Sequence, residues 1–79
     1  METKIAVIAM MIEDASVSDK VNNLLHQYAD KVVGRMGIPY REKNLNIISV
    51  VIDAAPDEIN SLSGNLGRLP GVRVKVLTA

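Results

Sequence analysis

Two long apolar runs dominate the pattern of hydrophobic and polar positions along the chain. They cover Ile5–Ile12 and Leu45–Ile52. Both are apolar at odd and at even positions over most of their length, which is typical of a strand covered on two faces. A third segment, Val72–Leu77, alternates between apolar and polar residues, as an edge strand with one solvated face does. The pattern therefore predicts two central strands and one edge strand.

A helix is predicted after each of the two central strands. After the first strand, Ser16 and Asp19 have the spacing of a capping box. After the second, Pro56 and its neighbouring carboxylates mark a helix start, because proline supplies the required φ and the charges complement the helix dipole. Small residues make this second helix slim enough to approach a neighbour closely, and Gly67 is its predicted C-terminal cap. The apolar stripe of the first helix consists of Val17, Val21, Leu24, Leu25, Tyr28 and Val32.

The segment Val32–Ile38 completes the set as a further strand. Gly34 and Gly37 weaken it and indicate an edge position or a bulge, and Pro39 ends it. The resulting order βαββαβ is the ferredoxin-like arrangement, in which two right-handed crossovers place the first and third strands in the middle of the sheet. We therefore predict an α+β fold, a ferredoxin-like βαββαβ sandwich whose four-stranded antiparallel sheet carries two helices on one face, with residues 1–79 as a single domain.

This arrangement leaves one face of the sheet without a cover from the same chain. Both helices lie on one face, whereas the central strands are apolar on both. A chain of 79 residues buries only roughly 60% of its extended surface. Disulfides cannot supplement so small a core, because the chain has no cysteine. We expect the second face, or a sheet edge, to be the interface of a homo-oligomer, a dimer or a tetramer.

Composition and charge narrow the classes of function. Nine basic and nine acidic side chains cancel, which argues against a protein that grips a nucleic-acid backbone by counterion release. The only histidine is His26 and cysteine is absent, so we predict no metal site, no cofactor and no catalytic residues. The apolar runs are too short to span a bilayer. The expectation is a cytoplasmic protein without membrane contact.

One polar cluster around the turn after the second predicted strand is a candidate ligand-binding site. Three cations lie close together within residues 35–43, and a fourth lies on the final strand. Such a group suits a carboxylate or phosphate, also across a subunit interface. The alternative is a solvated hairpin turn with an Arg–Glu pair. The candidate residues are Arg35, Tyr40, Arg41, Glu42 and Arg73.

Three stretches of the chain resemble a known family. The first is R-M-G-I-P-Y-R-E at Arg35–Glu42, and the second is L-S-G-N-L-G at Leu62–Gly67 followed by P-G-V-R-V-K at Pro70–Lys75. The third is N-N-L-L-H at Asn22–His26, which is similar to the family's first helix. The family that these stretches resemble is that of the iron-only hydrogenase system regulators. The resemblance spans nearly the whole chain.

The resemblance implies a ferredoxin-like domain related to ACT-type ligand-binding modules and to the sensor half of nickel-responsive regulators. Those domains assemble as dimers or tetramers through their sheets. Two features differ from these relatives: the histidine-and-cysteine set that binds nickel is missing, and Glu13–Ser16 stands where amino-acid-binding ACT domains have a glycine-containing turn. We therefore do not carry metal binding over, and the second difference argues against the amino-acid site of those domains.

The residues and the resemblance together lead to one main hypothesis. The protein is a non-enzymatic, homo-oligomeric regulatory or sensor module that binds a small effector or a partner protein. The alternative is an ACT-like domain that binds an amino acid or a small anion at its subunit interface. A small enzyme or metal carrier is a third hypothesis, since a ferredoxin-like fold alone does not decide function.

Overall fold

Residues 2–79, which the computed structural model describes, form four strands and two α-helices in the order βαββαβ. The strands build one antiparallel sheet in the order β2-β3-β1-β4. The first and third strands are therefore central, and the α+β, ferredoxin-like fold predicted from the sequence is confirmed. The elements are β1 (Lys4–Ile12), α1 (Ser18–His26), β2 (Val32–Tyr40), β3 (Leu45–Ala54), α2 (Pro56–Gly67) and β4 (Val72–Thr78).

The register of the sheet separates its two faces. Ile8 of β1 lies opposite Val50 of β3, and the neighbouring residue Val7 lies opposite Val51. Because side chains alternate along a strand, the first pair lies on one face and the second pair on the other. We call the face that carries Ile8 and Val50, against which α1 and α2 pack, the helix face. The opposite face, which carries Val7 and Val51, is the open face.

The hydrophobic core lies between the helix face and the two helices. α1 contributes Val21 and Leu25, and α2 contributes Ile59, Leu62 and Leu66, all of them buried. Burial of apolar surface contributes roughly 25 cal/mol per Å², so this layer is the main source of stability. The strands supply the rest of the core: Ala6, Ile8, Met10, Ile12, Val50, Ile52, Ala54 and Val72.

The start of α1 differs from the prediction. The capping box of Ser16 and Asp19 is wrong, because Asp14 is the capping residue: its Oδ1 accepts the backbone N–H of Ser16 at 2.9 Å and the Ser16 hydroxyl at 2.7 Å. A 3-10 turn over Ala15–Val17 follows, and α1 begins only at Ser18. A short side chain that bonds to the backbone two residues on favours such a turn over an immediate α-helix.

The boundaries of β2 also differ from the prediction. The predicted helical stripe extends to Val32, but α1 ends at His26 and Val32 begins β2. β2 then continues through Pro39 to Tyr40, because an edge strand tolerates a residue without an N–H donor. The predicted edge position is confirmed, and the register shift between Val32 and Gly34 confirms the bulge.

Two predictions for the glycines of α2 are wrong. Gly67 is the last residue of α2 rather than its cap, and Arg68 follows it in right-handed helical conformation. Gly64 mediates no close packing, since no heavy atom lies within 4 Å of the position that its Cβ would occupy. Gly71 instead has a conformational role: its φ is 75°, and a Cβ there would lie 3.0 Å from the Cβ of Asp14.

Candidate functional site

The structure places the predicted ligand-binding residues on both faces of the sheet. Arg35 lies on the helix face of β2 opposite Val50, whereas Tyr40 lies on the open face at the end of the same strand. Arg73 lies on the open face of β4, opposite Met11 of β1. β2 and β4 are the two edges, so three strand spacings, about 14 Å, separate them. Within one chain the sheet therefore separates Arg35 from Tyr40 and Arg73.

The turn between β2 and β3 is exposed. Arg41 and Glu42 belong to a 3-10 turn that connects the two strands, and the Tyr40 hydroxyl donates to Glu42 Oε2 at 3.2 Å. On the other edge, Arg73 forms an exposed ion pair with Glu13 at 3.0 Å. Exposed pairs of this kind contribute little to stability. Tyr40 and Arg41 also line a small cavity of about 70 Å³ together with Glu13, the partner of Arg73.

Arg35 lies in a groove between α1 and β2, which we call the α1–β2 groove. Two cavities of about 500 and 300 Å³ follow this side of β2, and Arg35 and Asn22 line both of them. Nη2 of Arg35 donates a hydrogen bond to Oδ1 of Asn22 at 2.6 Å. The guanidinium group is thereby held across the groove, where the two cavities meet.

The larger cavity combines an apolar floor with a polar rim. Leu25, Val32 and Val50 form the floor, and the first and last of these also belong to the core. Asn23 and His26 add polar atoms at the rim. An apolar pocket with a few convergent polar groups is the usual composition of a small-molecule site.

Gly37 keeps the smaller cavity open. It lies on the helix face of β2, opposite Ile48 and between Arg35 and Pro39 on the same face. No heavy atom lies within 4 Å of the position that a Cβ would occupy. A side chain at Gly37 would therefore extend into free space along this part of the groove.

Arg35 carries a charge that no carboxylate of the described chain neutralises. The ion pairs within residues 2–79 join Lys31 to Glu58 and Arg73 to Glu13, so Arg35 belongs to neither. Its hydrogen-bond partner is a neutral amide. Because a guanidinium group has five N–H donors, several donors remain for an incoming anion.

The shifted pKa values lie at the helix ends and outside the groove. The backbone N–H of Ala55 donates to Glu58 Oε1 at 3.1 Å, and this bond together with Lys31 lowers the pKa of Glu58. The hydrogen bond and charge of Glu58 raise the pKa of Lys31. The hydroxyl and the backbone N–H of Ser16 lower the pKa of Asp14. Capping and ion pairing account for these shifts without a catalytic role.

Among residues 2–79, no group of three or more His, Cys, Asp or Glu side chains has an arrangement that could hold a metal ion. His26 is exposed in the last turn of α1, at the rim of the larger cavity. Over the same residues, no helix has the length and apolar character needed to cross a membrane.

Sequence reasoning missed the groove and two of its residues. Asn22 attracts notice only as part of the run that resembles the family's first helix, and Gly37 only as a residue that weakens a strand. The signal that could have identified the groove is the alternation along β2, which places Arg35, Gly37 and Pro39 on one face. Arg35 beside a glycine and a proline, which add little side-chain bulk, is compatible with an open groove.

Comparisons with known proteins show that this chain is similar to solved structures. "The structure of uncharacterized protein TM1266 from Thermotoga maritima" matches with a TM-score of 0.93 and 35% sequence identity, covering 98% of this chain and 98% of that chain. The solution structure of the C-terminal domain of the MgtC protein from Mycobacterium tuberculosis matches with a TM-score of 0.76 and 13% identity, covering 96% and 87%. At that identity the second likeness shows the fold alone.

A family model agrees with the first of these likenesses. The model is described as "TM1266-like: Iron-only hydrogenase system regulator, putative", and it matches residues 4–76. No curated protein matches the chain. The match over residues 4–76, together with the 35% identity to TM1266, shows that this chain belongs to the TM1266-like family of iron-only hydrogenase system regulators.

Proposed function

We propose that this protein is a non-enzymatic regulatory module that assembles as a homo-oligomer through the open face of its sheet. In this role it binds a small effector or a partner protein and transmits that binding through the assembly. The description of the family as a regulator supports the non-enzymatic role. The shifted pKa values support it too, since capping and ion pairing explain them.

The apolar open face is the observation that carries this proposal. No other part of residues 2–79 packs over it, and Leu77 on β4 remains 73% exposed. Exposed apolar surface of this kind, with Arg73 and Lys75 as a polar rim on β4, marks an interaction site. The large apolar side chains exposed on this face are Ile5, Met11, Met36, Ile38, Tyr40 and Leu77.

A second copy of the chain is the occupant that the open face favours. On the two central strands, Ala9 lies opposite Ser49 as a pair of small side chains, and Met11 lies opposite Ile47 in the next row. Met36 on β2 and Lys75 on β4 flank the small pair. Two copies offset by one row can place the large side chains of one over the small side chains of the other. The formal net charge is zero, so two copies approach each other without net repulsion.

The open face is also large enough for a stable dimer. Four strands about 4.8 Å apart, with roughly nine residues of about 3.3 Å each, span a planar area of roughly 600 Å². The accessible surface of protruding side chains exceeds the planar area. It therefore approaches the ~800 Å² per partner that a standard interface buries.

Analytical ultracentrifugation of the wild-type chain and two variants tests the assembly. We expect a dimer or tetramer at micromolar concentration, and we expect Met11→Lys to shift it towards monomer, because burial of an unpaired charge is costly. Val76→Lys is the matched control, since Val76 is also an exposed apolar residue but lies on the helix face of β4. Circular dichroism confirms that both variants fold.

Two outcomes would contradict the proposed assembly. One is a wild-type chain that sediments as a monomer throughout the micromolar range. The other is an oligomer that Met11→Lys leaves intact, which would move the interface to a sheet edge or to the helices.

A further inference from the structure

We propose that the α1–β2 groove is a binding site for a small organic anion. The carboxylate or phosphate group of this ligand meets Arg35, and its body lies on the apolar floor of the larger cavity. The inference rests on the proposed regulatory function for its biological role, since it names the chemical class of the effector. The site itself lies within one chain, on the opposite side of the sheet from the open face.

The placement of Arg35 is the first argument for an anion. Its 2.6 Å hydrogen bond to Asn22 joins two exposed side chains and orients the guanidinium group without neutralising its charge. The remaining donors form a planar fork that matches two oxygens of a carboxylate or phosphate. On β4, by contrast, Arg73 is paired with the carboxylate of Glu13 within the chain. Of these two arginines, Arg35 is the one left available for a ligand.

The shape of the groove is the second argument, and it favours an organic body over a bare ion. A volume of about 500 Å³ lies within the range of roughly 300–1,000 Å³ that is usual for small-molecule sites. Leu25 and Val50 are buried core residues, so the floor is held in place by the core packing. Asn23 and His26 at the rim offer hydrogen bonds to polar groups of the body.

The charge of the groove favours one small anion over a polyanion. Among the described residues that line the two cavities, Arg35 is the one Lys or Arg. Nucleic-acid backbones are held by several cations, each of which neutralises a phosphate. A single fixed guanidinium group beside an apolar floor instead matches a ligand with one anionic group.

Titrations of the full chain, followed by two-dimensional NMR of its amide groups, test this site. The probes are benzoate, adenosine monophosphate and inorganic phosphate, which separate a carboxylate from a phosphate and an organic body from a bare ion. We expect saturable shifts of the Gly37 backbone N–H and of the Asn22 and Asn23 side-chain amides with an organic probe. Inorganic phosphate should bind more weakly, because it leaves the apolar floor uncovered.

Two substitutions separate the contribution of the charge from that of the space. Arg35→Gln removes the charge and should weaken binding roughly ten- to hundredfold, the usual loss for a hydrogen bond to a charged group. Gly37→Val crowds the junction next to Arg35 and should also weaken binding. Gly34→Val is the matched control, because Gly34 lies on the open face of the same strand and also has free space around it.

Loss of the shifts in Arg35→Gln and Gly37→Val, with retention in Gly34→Val, would support the site. Absence of saturable groove shifts with all three probes at millimolar concentration would overturn it, as would binding that Arg35→Gln leaves unchanged. Sedimentation of the same samples separates this inference from the proposed assembly. An oligomer that binds no probe defeats the groove alone, whereas a monomer that binds a probe supports the groove and defeats the assembly.

Discussion

The two faces of the sheet are both rich in apolar residues, yet the chain covers only one of them. Ile8 on the helix face of β1 is fully buried, whereas Ile5 on the open face of the same strand is 42% exposed. Topology causes the difference, because both right-handed crossovers place their helices on the same side of the sheet. The apolar composition of a central strand therefore indicates that both faces favour burial, but it does not identify what covers the second face.

Coverage also varies within the helix face. Core residues of α1 and α2 pack over β1, β3 and the start of β4, whereas Arg35, Gly37 and Pro39 on the helix face of β2 remain exposed beside α1. The α1–β2 groove occupies this gap, with Arg35 at its centre. The open face therefore offers a broad apolar surface, while the incomplete part of the helix face offers a narrow groove with one charge. These two surfaces suit different partners, a second protein surface and a small anion.

Substitution of the same residue type on the two faces should produce the largest difference. Ile8→Ala leaves a cavity in the core and should lower the free energy of unfolding by about 2–5 kcal/mol. Ile5→Ala removes a side chain that is already 42% exposed and should cost less than about 1 kcal/mol in the monomer. Urea unfolding followed by circular dichroism measures both values.

Protein concentration is the control in this comparison. If the open face associates, the cost of Ile5→Ala should grow with protein concentration, because the side chain is then buried by a partner. The difference between the faces would be contradicted if both substitutions lowered the free energy of unfolding equally at concentrations where the wild-type chain is monomeric.

Much of the fold was predictable because the apolar pattern identifies strand positions directly. β1 and β3 are apolar at odd and at even positions, β4 alternates between apolar and polar residues, and β2 carries two glycines. Each strand occupies the place in the sheet that its pattern predicts. The ends of the elements were less predictable, because single hydrogen bonds decide them. Asp14 rather than Ser16 caps the first turn, since its carboxylate accepts both donors of Ser16.

The candidate site was less predictable than the fold, because it depends on distances between elements. Arg35 and Tyr40 are close in sequence, but they lie an odd number of residues apart along β2. The strand therefore directs their side chains to opposite faces of the sheet. The groove beside Arg35 exists because α1 leaves room next to β2, as the two cavities there show. No local pattern of apolar residues encodes that separation.

A second pair of substitutions tests the turn before β4, which is hydrogen-bonded to the segment between β1 and α1. The carbonyl of Gly71 accepts the backbone N–H of Glu13 at 2.7 Å, and Gly71 has a φ of 75°. Gly71→Ala should lower the free energy of unfolding by about 1–3 kcal/mol, because alanine is strained at this φ and its Cβ would lie 3.0 Å from that of Asp14.

Gly64→Ala is the matched control for this effect, with the opposite sign expected. Gly64 lies within α2, and its missing Cβ has no neighbour within 4 Å. Alanine should therefore stabilise the helix by up to about 1 kcal/mol. Thermal unfolding of both variants is the measurement, and a lower stability of Gly64→Ala would show that another surface packs closely on α2 in solution.

The smallest expected effect concerns the contact that joins the start of α2 to the segment before β2. Lys31 and Glu58 lie 3.2 Å apart, and the backbone N–H of Ala55 together with Lys31 lowers the pKa of Glu58 below its ordinary value of 4.5. A lowered pKa in the folded state means that charged Glu58 stabilises the fold at pH values above the ordinary pKa. This contribution is lost as the pH falls through the folded-state pKa.

Urea unfolding between pH 7 and 3 should therefore show a shallower loss of stability for Glu58→Gln than for the wild-type chain. Lys31→Gln should reduce this loss of stability at acid pH less than Glu58→Gln does. It leaves in place the hydrogen bond from Ala55, which is the larger cause of the lowered pKa of Glu58. The raised pKa of Lys31 gives the wild-type chain a contribution that is present below the ordinary value of 10.5 and is lost as the pH rises through the folded-state pKa. Both variants lack the Lys31–Glu58 pair, the main cause of that raised pKa, so they should behave alike at alkaline pH. If Lys31→Gln reduced the loss of stability at acid pH as much as Glu58→Gln, the ion pair rather than the helix cap would be the main cause of the lowered pKa of Glu58.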